Sequence, residues 1–156
     1  ESEPAQATQE TEQLAIDNKD VLPDGTYQIG SAENTTKVAE VQNGSVKDGA
    51  NVQVDQMNTG EAQAWKVSHD DIGYVTLTNV QSGKALDVDG ALAVNGRNIQ
   101  QYRLNGSLAQ KWIVIKTKNG YEIASGIDPD YRVDVAGAGA VNGINVNLYR
   151  SNDTKT

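Results

Sequence analysis

Past residue 22 the apolar positions fall in short alternating runs, and good patterning for a long amphipathic helix is missing. Residues 26–29, 74–77 and 121–124 alternate apolar with polar, as a half-buried strand does. Residues 38–41, 85–88 and 132–135 alternate as well, so Leu86 and Val88 share one face and Asp87 points to the other. Asp-Gly or Asn-Gly then marks a tight turn at Asp48-Gly49, Asn95-Gly96 and Asn142-Gly143. Each turn leads into another strand-like run, at 51–54, 98–102 and 145–149. A last type of run occupies 64–67 and 111–115.

These runs repeat with a strict period of 47, set by Tyr27, Tyr74 and Tyr121. An acidic residue follows each Tyr by 13 positions: Glu40, Asp87 and Asp134. The turn glycines, the asparagines Asn51, Asn98 and Asn145, and then Asn58, Asn105 and Asn152 keep the same phase. Gln63-Ala64-Trp65 and Gln110-Lys111-Trp112 do so too. Four strands in each of three repeats predict an all-β fold, a β-trefoil, with repeats at 23–69, 70–116 and 117–156. A three-bladed propeller has the same strand count, but propellers typically need about four or more blades. A sandwich does not require an exact triple repeat. The third repeat stops before its Gln-x-Trp, which would begin just after Thr156, so its last strand is expected to be missing. That shortfall reads as a chain cut from a longer polypeptide, with an unpaired edge beside the first strand.

Charge divides the chain. The first 22 residues hold six acidic groups against Lys19, whereas the rest holds 15 acidic and 12 basic groups of the formal −8. Residues 1–22 carry few large apolar side chains and predict a flexible acidic arm, with a short helix over residues 8–16 as the minority reading. The body, residues 23–156, is near charge balance, which argues against nucleic acid or an anionic membrane surface. No apolar run is long enough for a transmembrane helix. The absence of Cys excludes disulfides and thiolate chemistry, and the lone His69, read as a solvated loop residue, argues against a Ser-His-Asp mechanism. Fragments such as Asp87-Val88-Asp89-Gly90 do not complete a calcium loop, so neither a metal nor a cofactor is implied.

Leu86-Asp87-Val88, the Asn95-Gly96 turn, Asn98 to Tyr102 and Ala109 to Trp112 together resemble one repeat of the ricin-type β-trefoil lectins. They are also similar to family 13 carbohydrate-binding modules. The resemblance covers residues 23–156 and implies sugar binding in a shallow pocket of each working repeat. There an Asp accepts hydrogen bonds from neighbouring sugar hydroxyls, an aromatic ring covers the apolar face of the pyranose, and an amide ties the remaining hydroxyls. Mapped onto this chain, Asp87 is the acceptor, Tyr102 the platform, Gln100 the hydroxyl-binding amide and Gln110 the support behind Asp87. Ala109 stands where the family often has Asn. The third repeat offers Asp134, Asn147 and Tyr149 at the same spacings. The first repeat has Glu40 and Gln53 but Asp55 in place of the ring, so it reads as degenerate. The resemblance makes Trp65 and Trp112 core residues, in line with their alternation with Val67 and Val114. The three repeat tyrosines are read as core or barrel-floor residues by symmetry.

The expectation is a non-catalytic carbohydrate-binding module, monomeric in isolation, that recognises galactose-type or xylose-type units on glycans. The resemblance further suggests a secreted or cell-surface bacterial protein. The competing reading is a structural or protein-interaction trefoil with vestigial sugar sites. An enzyme would need a nucleophile–base pair or a specified pair of carboxylates, and the sequence shows neither.

Overall fold

The computed structural model describes residues 8–135 and 141–151. One helix, α1 (Gln9–Asp17), precedes eleven strands. The first repeat supplies β1 (Gly25–Tyr27), β2 (Lys37–Val41), β3 (Val52–Gln56) and β4 (Trp65–His69). The second supplies β5 (Val75–Asn79), β6 (Ala85–Val88), β7 (Ile99–Tyr102) and β8 (Trp112–Thr117). The third supplies β9 (Gly120–Ser125), β10 (Tyr131–Val135) and β11 (Ile144–Arg150). All neighbouring strands pair antiparallel, and the fold is a β-trefoil. Among the described residues the sheet is not closed, because no strand follows β11.

The alternation seen in the sequence becomes the core. Val41, Val52, Val54, Leu86, Val88, Ile99, Val146 and Leu148 point inward from the second and third strands of the repeats. Trp65 and Trp112 are fully buried, and their indole N–H groups donate to the carbonyls of Ala39 and Leu86 at 3.1 and 3.0 Å. Burying rings of this size contributes most where the N–H also finds a partner.

The repeats meet at a pseudo-three-fold axis. Asn51 Nδ2 donates to Asn145 Oδ1, Asn145 to Asn98, and Asn98 back to Asn51, at 2.7 to 2.8 Å. Around this ring Gly49 N–H donates to Gln101 O, Gly96 to Leu148 and Gly143 to Val54, each at 2.8 Å. Gly49, Gly96 and Gly143 have φ of 83°, 84° and 84°, a region costly for residues with a Cβ. The turn glycines therefore recur because the backbone must aim its N–H into the next repeat.

Residues 8–22 do not form the solvated arm that their composition suggests. Thr8 caps α1, its Oγ1 accepting from Thr11 N at 3.0 Å, and Glu10 and Glu12 face the positive end of the helix dipole. Ala15 is fully buried and packs with Tyr74, Ile113 and Ala124. Close approach is possible because residue 73 is Gly. A Cβ there would lie 2.4 Å from Ala15 O, and its φ is 125°. Asp70 Oδ1 shapes this loop by accepting from the backbone of Ile72, Gly73 and Tyr74 at 2.9 to 3.0 Å. Burial acts to raise the Asp70 pKa, but the Gly73 amide, Lys111 and the Ile72 amide outweigh it and hold it below the ordinary value. Small-residue docking explains why counting large apolar residues favoured an arm over the helix at residues 8–16, the minority reading that α1 matches.

The repeat tyrosines also diverge. Tyr74 is buried under α1, and Tyr27 is half-buried with its hydroxyl on Pro23 O at 2.8 Å. Tyr121 is 52 % exposed, so its expected core role is wrong: no helix covers it, and Lys116 lies over its ring. His69 ends β4 and pairs with Asp24, so it is not a solvated loop residue either.

Substitutions at the helix contact and in the asparagine ring test these contacts by chemical denaturation. Gly73→Ala should destabilise the fold by about 2 kcal/mol or more, combining backbone strain with overpacking. Gly83→Ala, where a Cβ meets nothing within 4 Å, should cost only the left-handed backbone term, about 1 kcal/mol. Asn98→Ala should cost about 1–3 kcal/mol by leaving two ring members without a partner. Combined with Asn145→Ala it should be clearly non-additive.

Candidate functional site

The β6–β7 hairpin places the second-repeat residues on one face. Asp87 lies directly opposite Gln100, and Ala85 opposite Tyr102. The period-two geometry of strands puts Gln100 and Tyr102 on the same side. Gln110 Nε2 donates to Asp87 Oδ2 at 2.8 Å and to Arg103 O at 2.8 Å, and its Oε1 accepts from Asn105 N at 3.0 Å. One buried amide thus clamps the carboxylate and the loop that follows β7. Gln100 also hydrogen-bonds Asp87. Asp87 is only 5 % exposed, so little of the residue is open to a ligand. Burial raises its pKa, the hydrogen bonds of Gln110 and Gln100 oppose that, and the nearby charge of Asp89 adds to the rise.

Tyr102 is half-buried beside this pair. The Arg103 guanidinium sits 5.4 Å from its ring centroid, and Arg103 Nη1 lies 3.5 Å from Asp48 Oδ2 of the first repeat. Sequence reasoning missed this braced ring. The available signal was that Arg follows the aromatic in Tyr102-Arg103 and again in Tyr149-Arg150.

The first repeat has the same clamp without the ring. Gln63 Nε2 donates to Glu40 Oε1 at 3.0 Å and to Gln56 O at 2.9 Å, and Gln53 Nε2 donates to Glu40 Oε2 at 3.0 Å. Asn58 N donates to Gln63 Oε1 at 2.8 Å, as Asn105 does to Gln110. Asp55, opposite Val38, accepts its neighbour's amide, from Gln56 N at 2.8 Å. The acid–glutamine pair is therefore first a device that folds the first and second repeats. What separates the second repeat from the first is the aromatic side chain.

In the third repeat Asp134 lies opposite Asn147, and Arg132 opposite Tyr149. Tyr149 is 41 % exposed. The Oδ1 atom of Asn147 is buried with no hydrogen-bond partner among the described residues. Asp134 and Tyr149 line an open groove of about 860 Å³, bounded by residues that follow β1 on one side and by β9 on the other. The structure thus gathers Asp87, Gln100, Tyr102 and Gln110 into one site. Asp134, Asn147 and Tyr149 form a second, more open set on β10 and β11. The residues that align the repeats, Asn51, Asn98 and Asn145, were visible as a periodicity but not as a ring.

A sequence profile for the ricin-type beta-trefoil lectin domain-like family matches residues 12–89 and 61–149. No curated protein sequence matches the chain. Among solved structures it is similar to ThreeFoil, a designed 3-fold symmetric protein, with 32 % identity and a TM-score of 0.78 over 83 % of this chain and 92 % of that one. It is similar to part of the exo-β-1,3-galactanase 1,3Gal43A from Clostridium thermocellum, with 27 % identity and a TM-score of 0.74, over 81 % of this chain and 27 % of that one. The C-half of an earthworm R-type lectin, solved in complex with GalNAc, has 19 % identity and a TM-score of 0.61 over 84 % of this chain and 92 % of that one. Strands, three-fold axis, acid–glutamine clamps and profile all agree: the chain belongs to the ricin-type β-trefoil lectin domain-like family.

Proposed function

We propose that this chain is a non-catalytic carbohydrate-binding module, with its main sugar site at Asp87, Gln100 and Tyr102. The observation that carries this reading is the half-buried Tyr102 ring beside the Asp87–Gln100 pair, at a position where the degenerate first repeat has Asp55. The ring offers an apolar face to a pyranose, and the carboxylate and amide offer directional bonds to adjacent hydroxyls. Gln110 fixes the carboxylate and makes no ligand contact in this reading. Asp134, Asn147 and Tyr149 are the second candidate site.

The sugar is of galactose type in this proposal, in preference to xylose type. A galactanase and a lectin crystallised with GalNAc, both similar in fold, support that choice. Shallow single-repeat sites bind weakly, and two of them on one domain gain from multivalent glycans. Secretion or cell-surface display of a monomeric module fits such a role and is part of the proposal. One observation favours the vestigial reading: the acid–glutamine clamp persists in the first repeat, where there is no ring.

Titration of galactose-type and xylose-type oligosaccharides, by calorimetry, separates the readings. Asp87→Asn and Tyr102→Ala should each weaken binding about 10-fold or more, the loss of one charge-assisted bond or one stacking face. Glu40→Gln should leave affinity unchanged. Unaltered affinity in folded Asp87→Asn and Tyr102→Ala proteins would remove this site.

Binding should also depend on pH. The Asp87 carboxyl titrates above 3.8, so the ionised acceptor is lost as pH falls through that raised value. Affinity should therefore decline before ordinary carboxylates titrate. The stability sign is opposite: a group whose folded pKa is raised favours the folded state once protonated, so its contribution grows over the same window. Asp70, with its lowered pKa, contributes stability above 3.8 that is lost as pH falls further. Affinity and denaturation profiles of the wild type and Asp87→Asn should separate in that upper window and coincide at neutral pH in slope.

A further inference from the structure

Arginine follows the aromatic residue in the two repeats that have one, as Tyr102-Arg103 and Tyr149-Arg150, whereas the ringless first repeat has Asp55-Gln56. The two arginines are placed differently. Arg150 lies over the Tyr131 ring at 5.5 Å, donates to Tyr131 Oη at 3.4 Å and pairs with Asp130 at 3.5 Å. Arg103 lies over the proposed platform itself, 5.4 Å from the Tyr102 ring centroid. Its backbone is held at both polar atoms: the N–H donates to Asp48 Oδ1 at 3.0 Å, and the carbonyl accepts from Gln110 at 2.8 Å. Its side chain is 71 % exposed, and among the described residues the guanidinium makes one ion pair, to Asp48 Oδ2 at 3.5 Å. That separation is too long for a good hydrogen bond, so the planar fork of donors is open to a ligand. Lys84 Nζ lies 3.7 Å from the other oxygen of Asp48. Two cations therefore share one carboxylate, and the cluster is locally positive although the body of the chain is near charge balance.

We propose that the second-repeat site takes an acidic galactose-type unit, bearing a carboxylate or sulfate at its exocyclic position, and that Arg103 is the residue that selects it. This rests on the sugar reading of Asp87, Gln100 and Tyr102. A pyranose whose hydroxyls bond Asp87 must keep its own anion away from that carboxylate and from the nearby charge of Asp89. The favourable place for the anion is beside the Tyr102 ring, where the Arg103 guanidinium stands. A guanidinium fork matches carboxylate and sulfate oxygens two at a time. Because the backbone clamp and Asp48 place the arginine before a ligand arrives, less side-chain freedom is lost on binding. Gln56, at the same place in the first repeat, carries no charge to offer.

The probes are the methyl glycosides of galactose, galacturonic acid and galactose 6-sulfate, titrated by calorimetry into the full chain at low ionic strength. At least one acidic glycoside should bind about 5-fold or more tightly than the neutral one, the effect of an exposed charge-assisted pair. In Arg103→Gln the ratio of acidic to neutral affinity should fall to about one. In about 1 M NaCl, where charges are screened within about 3 Å, the ratio should shrink in the wild type as well. Tyr149→Ala should keep the ratio, because the preference belongs to the second repeat. Denaturation midpoints check that each variant is folded. Equal affinity for the three glycosides, or a preference that survives in folded Arg103→Gln or disappears in folded Tyr149→Ala, would overturn this proposal and leave neutral sugar binding standing. Silence towards all three would overturn it together with the sugar reading beneath it.

Discussion

Three side-chain amides on the pseudo-three-fold axis can satisfy one another only if all three repeats are present and correctly turned. Asn51, Asn98 and Asn145 each donate to one neighbour and accept from the other, so the cycle has no loose end among them. Each bond is modest in net terms, but a half-buried amide left without its partner is costly. The three glycine N–H groups around the ring extend the same logic to the backbone. Together they fix the angle between repeats, and every strand hairpin inherits its position from that angle. This is also why the chain keeps three-fold geometry although, among the described residues, its sheet is open between β1 and β9: the closed cycle and the open edge lie at different places in the fold.

The acid–glutamine clamp builds outward from that frame. It ties the second strand of a repeat to the loop after the third and to the turn before the fourth, so a single amide coordinates three chain segments. A side chain doing this much for folding is available to a ligand only at its margin. The 5 % exposure of Asp87 expresses that compromise. What stands beside the clamp differs between repeats: Asp55, Tyr102 and Tyr149 occupy equivalent places, and under the proposed function selectivity rests on them.

Most of the architecture was legible because strands read at period two and repeats at period 47. Exact phase located Asp87, Gln100, Tyr102 and Gln110, and the structure brings them together. Less was legible where a contact depends on a residue's smallness or on unlike partners. Helix α1 docks through Ala15 against Gly73, and neither residue signals a core. The repeat predicted one role for Tyr27, Tyr74 and Tyr121, yet only Tyr74 is covered by the helix. Arg103 over Tyr102 needed the first repeat's Asp48 to hold it, a link between repeats that no single repeat contains.

The axial ring also has a kinetic side. Asn51 and Asn145 are 94 residues apart, and each remaining pair is separated by 47. Loops of that span lose entropy when they close, before the closing bonds reward it. Topologies dominated by such non-local pairs fold slowly. On a ribosome, the first two repeats would emerge with their axial amides still facing water, and the cycle could shut only after β11 arrives. The final third of the chain thus decides when the whole molecule becomes native.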